Sequence, residues 1–487
     1  MAALNQAVAA ADGALAPFIQ AMLDDAVKTS AGKAYIVRDG KAVEAATGSA
    51  ASLPADAEDV VNNNRMRREL EAAGAVLRLV SSDVAVRRTA IAELKDDVDE
   101  GKLPLIEKAV AAETNADLKA RLGLLRAAVL ISSADPAKRV AAAQALSGSS
   151  SPATRSLLLE KLATEPDAKV RAAIQAALDS VQGQLVWGER LGLLFTGASL
   201  GSILLLVALG LAITYGLMGV INMAHGELMM IGAYATYVVQ NLFKHYLPSA
   251  FVYYIVVAIP AAFLAAALVG AVLERSVIRW LYGRPLETLL ATWGISLVLM
   301  QAVRSLFGAQ NVGVENPGWM SGGVQVLPNL VLPYNRLAIL VFAVAVLAGM
   351  ALLIGRTRLG LFVRAVTQNR RMASCVGVNT ARIDMLAFAL GAGIAGLAGC
   401  ALSQVGNVGP DLGQGYIVDS FMVVVLGGVG QLAGTVYAAL GLGVLNKLLE
   451  GWAGAVLAKI MVLVFIVVFI QKRPQGLFAV KGRSAEA

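Results

Sequence analysis

The pattern of apolar and polar positions changes character near Trp187. Up to that point apolar residues recur at helical spacing between charged ones in an alanine-rich sequence. From Leu191 onward, long apolar runs alternate with short polar breaks. Runs at 193–214, 219–240, 251–273, 287–307, 336–354, 385–405 and 455–471 each approach the ~20 residues a helix needs to cross a bilayer. A further stretch, 416–450, has two apolar halves divided by Gly427-Gly428-Val429-Gly430-Gln431-Leu432-Ala433-Gly434. The expected fold class is all-α. A soluble helical domain at 1–185 precedes a polytopic helical membrane domain at 186–475 with about eight or nine crossings, some discontinuous, and a tail at 476–487.

The soluble part has one departure from helix. Residues 34–43 place two apolar stretches around Asp39-Gly40, which predicts a small β-hairpin. Beyond about residue 65 a spacing recurs. Asp83, Asp117, Asp135 and Asp167 are each followed at +4 by Arg87, Arg121, Arg139 and Arg171, and three of them at +11 by Leu94, Leu146 and Leu178. An aspartate heading a helix can cap its free N–H groups, and the +4 arginine allows an ion pair on one face. Tandem helices of this kind over 65–182 resemble HEAT-like repeats, although the intervals of 34, 18 and 32 residues are uneven and also suit a non-repetitive bundle.

Charge adds orientation. The whole chain is 57% hydrophobic and 15% charged, against about 25% charged for a soluble domain. Before Trp187 there are 22 Lys and Arg against 24 Asp and Glu; of the totals of 41 and 34 this leaves 19 and 10 for the remainder, so the net +7 belongs to the apolar part. That excess lies in 275–284, 356–382 and 472–483, which the positive-inside rule places in the cytoplasm rather than against nucleic acid. An even number of crossings must then separate 356–382 from the C-terminal segment, so 416–450 crosses twice or returns to its own face. Counting back from 275–284, the first span runs from outside to inside, which puts 1–185 on the outer side. Met1 to Asp12 has neither a positive nor an apolar leader region, so this orientation implies that a leader has been processed or omitted.

Few motifs carry chemistry. Gly391-Ala392-Gly393-Ile394-Ala395-Gly396 spells a dinucleotide fingerprint, but it sits inside an apolar run with no strand before it, where small residues serve close helix packing. Gly197/Gly201 and Gly430/Gly434 read the same way. No G-x-x-x-x-G-K-[ST] phosphate loop occurs, and Cys375 and Cys400 offer no disulfide framework or metal spacing. Polar groups at membrane depth are more informative, because leaving one unpaired there is costly. Asn222, His225 and Glu227 cluster between the first two runs, Glu287 heads the fourth, and Gln404, Asn407, Asp411 and Asp419 flank the start of the glycine-split region. Interhelical hydrogen bonds and caps are the plainer use of such groups. The basic stretch 360–378 is amphipathic enough for a short helix lying across the membrane face, either as an anchor or as a docking element.

Several of these stretches resemble one family. Gly219-Val220-Ile221-Asn222-Met223-Ala224-His225-Gly226-Glu227, Arg364-Ala365-Val366-Thr367-Gln368-Asn369, Val425-Leu426-Gly427-Gly428-Val429-Gly430 and Arg473-Pro474-Gln475-Gly476-Leu477-Phe478 are similar, in order, to permeases of the branched-chain amino acid type of ABC importer. The segments 281–294, 307–312 and 404–414, together with the long N-terminal extension, look most like the urea-transport members of that family. The resemblance implies a bacterial inner-membrane subunit that works with a second permease, two ATPase subunits and a periplasmic solute-binding protein amid membrane lipid. This chain would carry no cofactor, with ATP and Mg on the ATPases.

A weak match to the cytoplasmic E-A-A-x-x-x-G element at 371–377 retains Ala373 and Gly377 but has Arg371 at the acidic position. It implies that the ATPase-coupling helix includes Arg364, Gln368, Asn369, Arg371, Ala373 and Gly377. Urea is neutral and rich in N–H donors, so its pathway needs carboxylate or amide acceptors, for which Asn222, Glu227, Glu287, Asn311, Gln404 and Asp419 are the candidates. Two alternatives stay open: a cargo of branched-chain amino acids or short amides, and an ATP-independent channel with a helical scaffold.

Overall fold

A computed structural model describes residues 15–478, apart from 31, 39, 40, 55, 61, 80, 82, 95–102 and 220. The Asp39-Gly40 turn, the start at 1–12 and tail residues 479–487 therefore lie outside the described residues. The chain divides into two compact units, 1–188 and 189–487, and helix α8 (Ala168–Met218) contributes residues to both.

In the first unit, α1 (Leu15–Leu23) precedes five strands: β1 (Val27–Ser30), β2 (Lys33–Arg38), β3 (Lys41–Glu44), β4 (Ala50–Ala51) and β5 (Glu58–Asp59). They form an antiparallel sheet in the order β4-β3-β2-β1-β5. The expected hairpin is its β2–β3 pair, with Ile36 opposite Val43 and Arg38 opposite Lys41. Among the described residues six helices follow before α8: α2 (Asn64–Arg78), α3 (Val84–Glu93), α4 (Leu103–Ala112), α5 (Ala116–Leu130), α6 (Pro136–Leu146) and α7 (Pro152–Thr164). Asp83, Asp135 and Asp167 do cap helices, accepting from Ala85, Ala137 and Lys169 N–H.

Of the expected +4 ion pairs, only Asp117–Arg121 is seen among the described residues, at 3.2 Å. Arg87 and Arg139 instead reach a glutamate 26 residues on: Arg87 Nε is 2.8 Å from Glu113 and Arg139 Nη2 is 3.0 Å from Glu165. Each also donates to the carbonyl six residues back, of Ser81 and Ser133. A capping carboxylate already engaged by backbone N–H groups leaves the arginine to the buried glutamate at the end of the next helix. Arg87, helped by the Asn115 N–H, holds the Glu113 carboxyl below its ordinary value near 4.5. A lowered folded value means that the stabilisation is present above the ordinary value and is lost as pH falls through the folded one. Hydrogen exchange on the full chain should therefore show α3 and α4 losing protection under acid, while Glu113→Gln removes that pH dependence and lowers protection at neutral pH. Unchanged protection in the variant would show the pair to be idle.

The second unit continues α8 with α9 (His225–Tyr246), α10 (Tyr254–Ser276), α11 (Pro285–Phe307) and α12 (Tyr334–Arg356). Then come α13 (Arg358–Gln368), α14 (Arg370–Cys375), α15 (Thr380–Ser403), α16 (Leu412–Gly427), α17 (Leu432–Ala453) and α18 (Ala455–Lys472). A two-stranded hairpin, β6 (Gly323–Leu327) and β7 (Leu330–Pro333), lies between α11 and α12. Seven helices among the described residues are long and apolar enough to cross a membrane, somewhat fewer than the eight or nine crossings expected. The glycine-split stretch forms two helices, as its sequence predicts, and only the second, α17, is among those seven. The first of them, α16, has 16 residues and spans about 24 Å at ~1.5 Å per residue, short of a bilayer core of about 30 Å. The run expected at 219–240 begins later, at His225, because 219 and 221–224 are not helical. There Asn222 caps the turn by accepting from Ala224 N–H.

Helix α15 is the centre of this unit. Its Gly391-x-Gly393-x-x-Gly396 run packs helices, with Gly391 against Gly210, Gly393 against the Phe263 ring and Gly396 against the Ala262 carbonyl. The α9–α15 crossing is closer still: a Cβ on Gly232 would meet the Gly396 backbone, and one on Gly399 the Met229 carbonyl. Around this core, α10, α11, α12 and α18 present large apolar side chains outward, among them Leu268, Leu290, Val341 and Val456, all more than 60% exposed. In water such a surface would drive association; in lipid it is matched to its solvent.

Candidate functional site

The break between α8 and α9 brings polar groups into the interior. Asn222, His225 and Glu227 are each at most 1% exposed. His225 Nε2 lies 3.2 Å from the Val207 carbonyl, so that nitrogen carries the proton, and Nδ1 is buried without a partner among the described residues. Ser296 on α11 donates to Glu227 Oε1 at 3.0 Å, while Glu227 Oε2 and Asn222 Nδ2 are buried without a partner among the described residues. Thr292, one turn before Ser296, accepts from Met223 N–H at 3.2 Å. Next to this cluster a cavity of about 200 Å³ is lined by Ile221, Asn222, Met223, Leu289, Ile417, Val418 and Phe421. The loop 221–223, α11 and α16 thus meet at a small, mostly apolar space with one amide at its wall.

The other candidates lie elsewhere. Glu287 is exposed in the first turn of α11 and pairs with Arg284 at 3.0 Å, away from the cluster. Gln404 is buried, but its groups brace the end of α15: Oε1 accepts from the Tyr254 hydroxyl, and its carbonyl accepts from Asn335. Asp419 on α16 lies 3.6 Å from Lys459 on α18. Asn311 is exposed in the loop after α11, where Val312 and Val408 form a two-way backbone bridge. Its Oδ1 and that of Asp411 crowd the space where Gly409 lacks a side chain. The structure therefore brings Asn222 and Glu227 together and leaves Glu287, Gln404, Asn311 and Asp419 outside their group. Ser296 and Thr292 were not among the sequence candidates. Their signal was present as the hydroxyls of Thr288, Thr292 and Ser296, four residues apart on one face of α11.

The basic stretch folds as two helices rather than one. The chain breaks at Asn369 (φ −155°, ψ 98°), whose side chain caps α14 by accepting from Met372 N–H at 3.0 Å. Gly377, at φ +88°, ends it in the left-handed region that favours glycine. Arg364, Gln368, Asn369 and Arg371 are exposed, as are the apolar Met372 and Val376, whereas Ala373 is buried and holds the element down. A short basic platform with apolar tips is the result.

Comparison with known proteins gives this arrangement a family. Residues 193–470 match the model described as branched-chain amino acid transport system / permease component. The chain is 31% identical over 255 residues to the high-affinity branched-chain amino acid transport system permease protein BraD of Pseudomonas aeruginosa, covering 52% of this chain and 83% of that one. It is 28% identical over 294 residues to LivH of Salmonella typhimurium, covering 58% and 94%. A shorter stretch of 98 residues, 19% of this chain and 30% of the other, is 34% identical to the ribose import permease protein RbsC of Escherichia coli. No solved structure matches. With more than half of its length matched, the chain belongs to the family of branched-chain amino acid transport system permease components.

Proposed function

We propose that this chain is the membrane-spanning subunit of an ATP-driven importer for a small polar solute, working by alternating access with separate ATPase subunits. A second permease and a periplasmic solute-binding protein complete the assembly in a bacterial inner membrane. The observation that carries this reading is the pairing of a buried polar cluster around Glu227 with the basic platform 358–375.

The topology read from charge has support in the second unit. Tyr282 contacts Met218 and the Arg370 side chain, Gly216 meets Gly430, and Leu477 N–H donates to the Leu426 carbonyl. The three basic segments thus share one end, which we assign to the cytoplasm. On that assignment α8 enters from the outside and residues 1–185 are periplasmic. We read 65–182 as HEAT-like repeats serving as a docking surface, a reading supported by the Arg–Glu brace that recurs 52 residues apart at Arg87–Glu113 and Arg139–Glu165.

Urea is the cargo we favour. Glu227, Asn222, Ser296 and Thr292 supply acceptors and donors with no lysine or arginine among them, which suits a neutral amide better than a zwitterion needing a cation for its carboxylate. A branched-chain amino acid is the second reading, favoured by the names of the relatives and by the apolar cavity beside Asn222. Proteoliposomes containing the full importer, assayed with labelled urea and labelled leucine, separate the two. We expect ATP-dependent uptake of urea. Uptake of leucine alone establishes the second reading, and equal uptake without ATP would establish a channel and sink the importer.

A further inference from the structure

Four side chains at the end of the second unit that holds the basic segments form a cluster that joins separate helices. Arg370, at the start of α14, pairs with Asp384 on α15 and lies 5.0 Å over the Tyr282 ring. The Tyr282 hydroxyl donates to Glu274 Oε1, 2.9 Å away at the end of α10, and lies 3.1 Å from Met218 Sδ at the end of α8. Asp384 is 0% and Glu274 3% exposed, while the Arg370 side chain is 42% exposed. Within the cluster Asp384 pairs with the guanidinium while Glu274 accepts from the Tyr282 hydroxyl, and among the described residues Asp384 Oδ1 has no partner. Withdrawing Arg370 would leave a buried carboxylate uncompensated, a costly arrangement. A displacement of α14 is therefore more easily followed by α15 and α10 than resisted by breaking this contact.

Those two helices do not move alone. Gly396 rests on the Ala262 carbonyl of α10, while Gly232 and Gly399 set α9 against α15 backbone to backbone, with no side chain between to slide or repack. Helix α11 meets this body differently, through the Ser296–Glu227 hydrogen bond and through the side chains of Val303 and Phe307 packed near Met230, Tyr234 and Tyr237. Side chains can repack and a hydrogen bond can be exchanged for another as helices shift, whereas interlocked backbones cannot.

We infer that Arg370, Asp384, Tyr282 and Glu274 form the link through which the docked ATPase moves α9, α10 and α15 as one body, and that this body shifts against α11 at the Glu227–Ser296 contact. The inference rests on the reading of 358–375 as the ATPase-docking element. These four are positioning residues, since they act on the solute path through the helices that carry it.

The test uses the full importer in proteoliposomes, with labelled urea and labelled leucine assayed side by side and ATP hydrolysis measured in the same samples. Asp384→Asn and Arg370→Gln should each lower the uptake per ATP hydrolysed by about tenfold, within the range of ordinary coupling energies. The ATPase should still co-purify and hydrolyse ATP, and Asp384→Glu, which keeps the charge, should recover most of the coupling. An unchanged ratio of uptake to hydrolysis in Asp384→Asn would overturn the inference. Equal loss of ATPase co-purification in Asp384→Asn and Asp384→Glu would also overturn it, by showing a role in folding alone. A wild-type importer whose ATPase binds this chain but drives uptake of neither solute counts against the function proposed above, and the inference falls with it. Wild-type transport alongside normally coupled variants defeats the inference alone.

Discussion

Replacing Glu227 by glutamine is expected to lower ATP-driven uptake by at least about tenfold, while membrane insertion and ATPase docking persist. The variant keeps its shape and can still accept from Ser296 at Oε1, so the helix contact survives. What it loses is the second carboxylate oxygen, which is buried without a partner among the described residues. If that oxygen receives an N–H of the passing solute, the loss is that of a charged hydrogen bond, about 1.5–3 kcal/mol or roughly tenfold or more in rate. Ser296→Ala should have a smaller effect, because Glu227 then loses a neighbour rather than its charge. Initial rates of solute uptake in proteoliposomes decide the matter. Wild-type rates in Glu227→Gln would remove this carboxylate from the pathway and leave it a structural group.

The second large effect belongs to the core. Gly396→Leu should abolish the correctly assembled permease rather than slow it. A side chain there has no free direction, since even its Cβ would meet the Ala262 carbonyl and the Ala266 side chain of α10. Overpacking an ordinary core costs about 1–3 kcal/mol because side chains can shift. Here the obstacle is backbone, so helices α10 and α15 must separate. The contrast is Gly349→Leu on α12, where nothing lies within 4 Å of an added Cβ. Detergent-solubilised protein analysed by size exclusion should show a monodisperse peak for the second variant and aggregate or no protein for the first. A monodisperse, ATPase-binding Gly396→Leu protein would show that the crossing is looser than drawn.

Much of the architecture could be read from local pattern because a bilayer removes choices. A backbone in lipid must satisfy its own hydrogen bonds, so each long apolar run becomes a helix almost wherever it packs. The runs at 251–273, 287–307, 336–354, 385–405 and 455–471 correspond to α10, α11, α12, α15 and α18 with ends shifted by a few residues. The glycine-split stretch also became two helices, with Gly428 at φ +99° in the turn between them. The run at 219–240 was less legible. Its apolar residues 219–221 read as helix, but the polar Asn222 side chain competes for backbone N–H groups and delays the helix to His225.

The candidate site was half legible. Asn222 and Glu227 declare themselves as polar residues in an apolar setting, and they do come together in the interior. Glu287 has the same local signature yet is exposed and paired with its neighbour Arg284. Nothing in a linear pattern distinguishes a carboxylate facing inward from one at a helix end facing out. The partners Ser296 and Thr292 were missed because hydroxyls in apolar helices commonly bond their own backbone, as Thr292 also does to Thr288. Their second contact is with residues about 70 positions away.

The sequence by itself determined that this chain has a charge-rich helical part and an apolar helical part, where most of the long helices of the second lie to within a few residues, and which loops carry positive charge. Those are properties of segments of up to about 20 residues interacting with solvent or lipid, so they are written locally. Only the tertiary structure decided that Arg87 and Arg139 reach past their capping aspartates to Glu113 and Glu165, and which helix backbone Gly396 packs against. Only it decided that Arg370 clasps Asp384 and that Glu227 faces Ser296. Each of these depends on which helices become neighbours. That choice is made by the close fit of small residues on one helix against the backbone of another, and no single segment carries it.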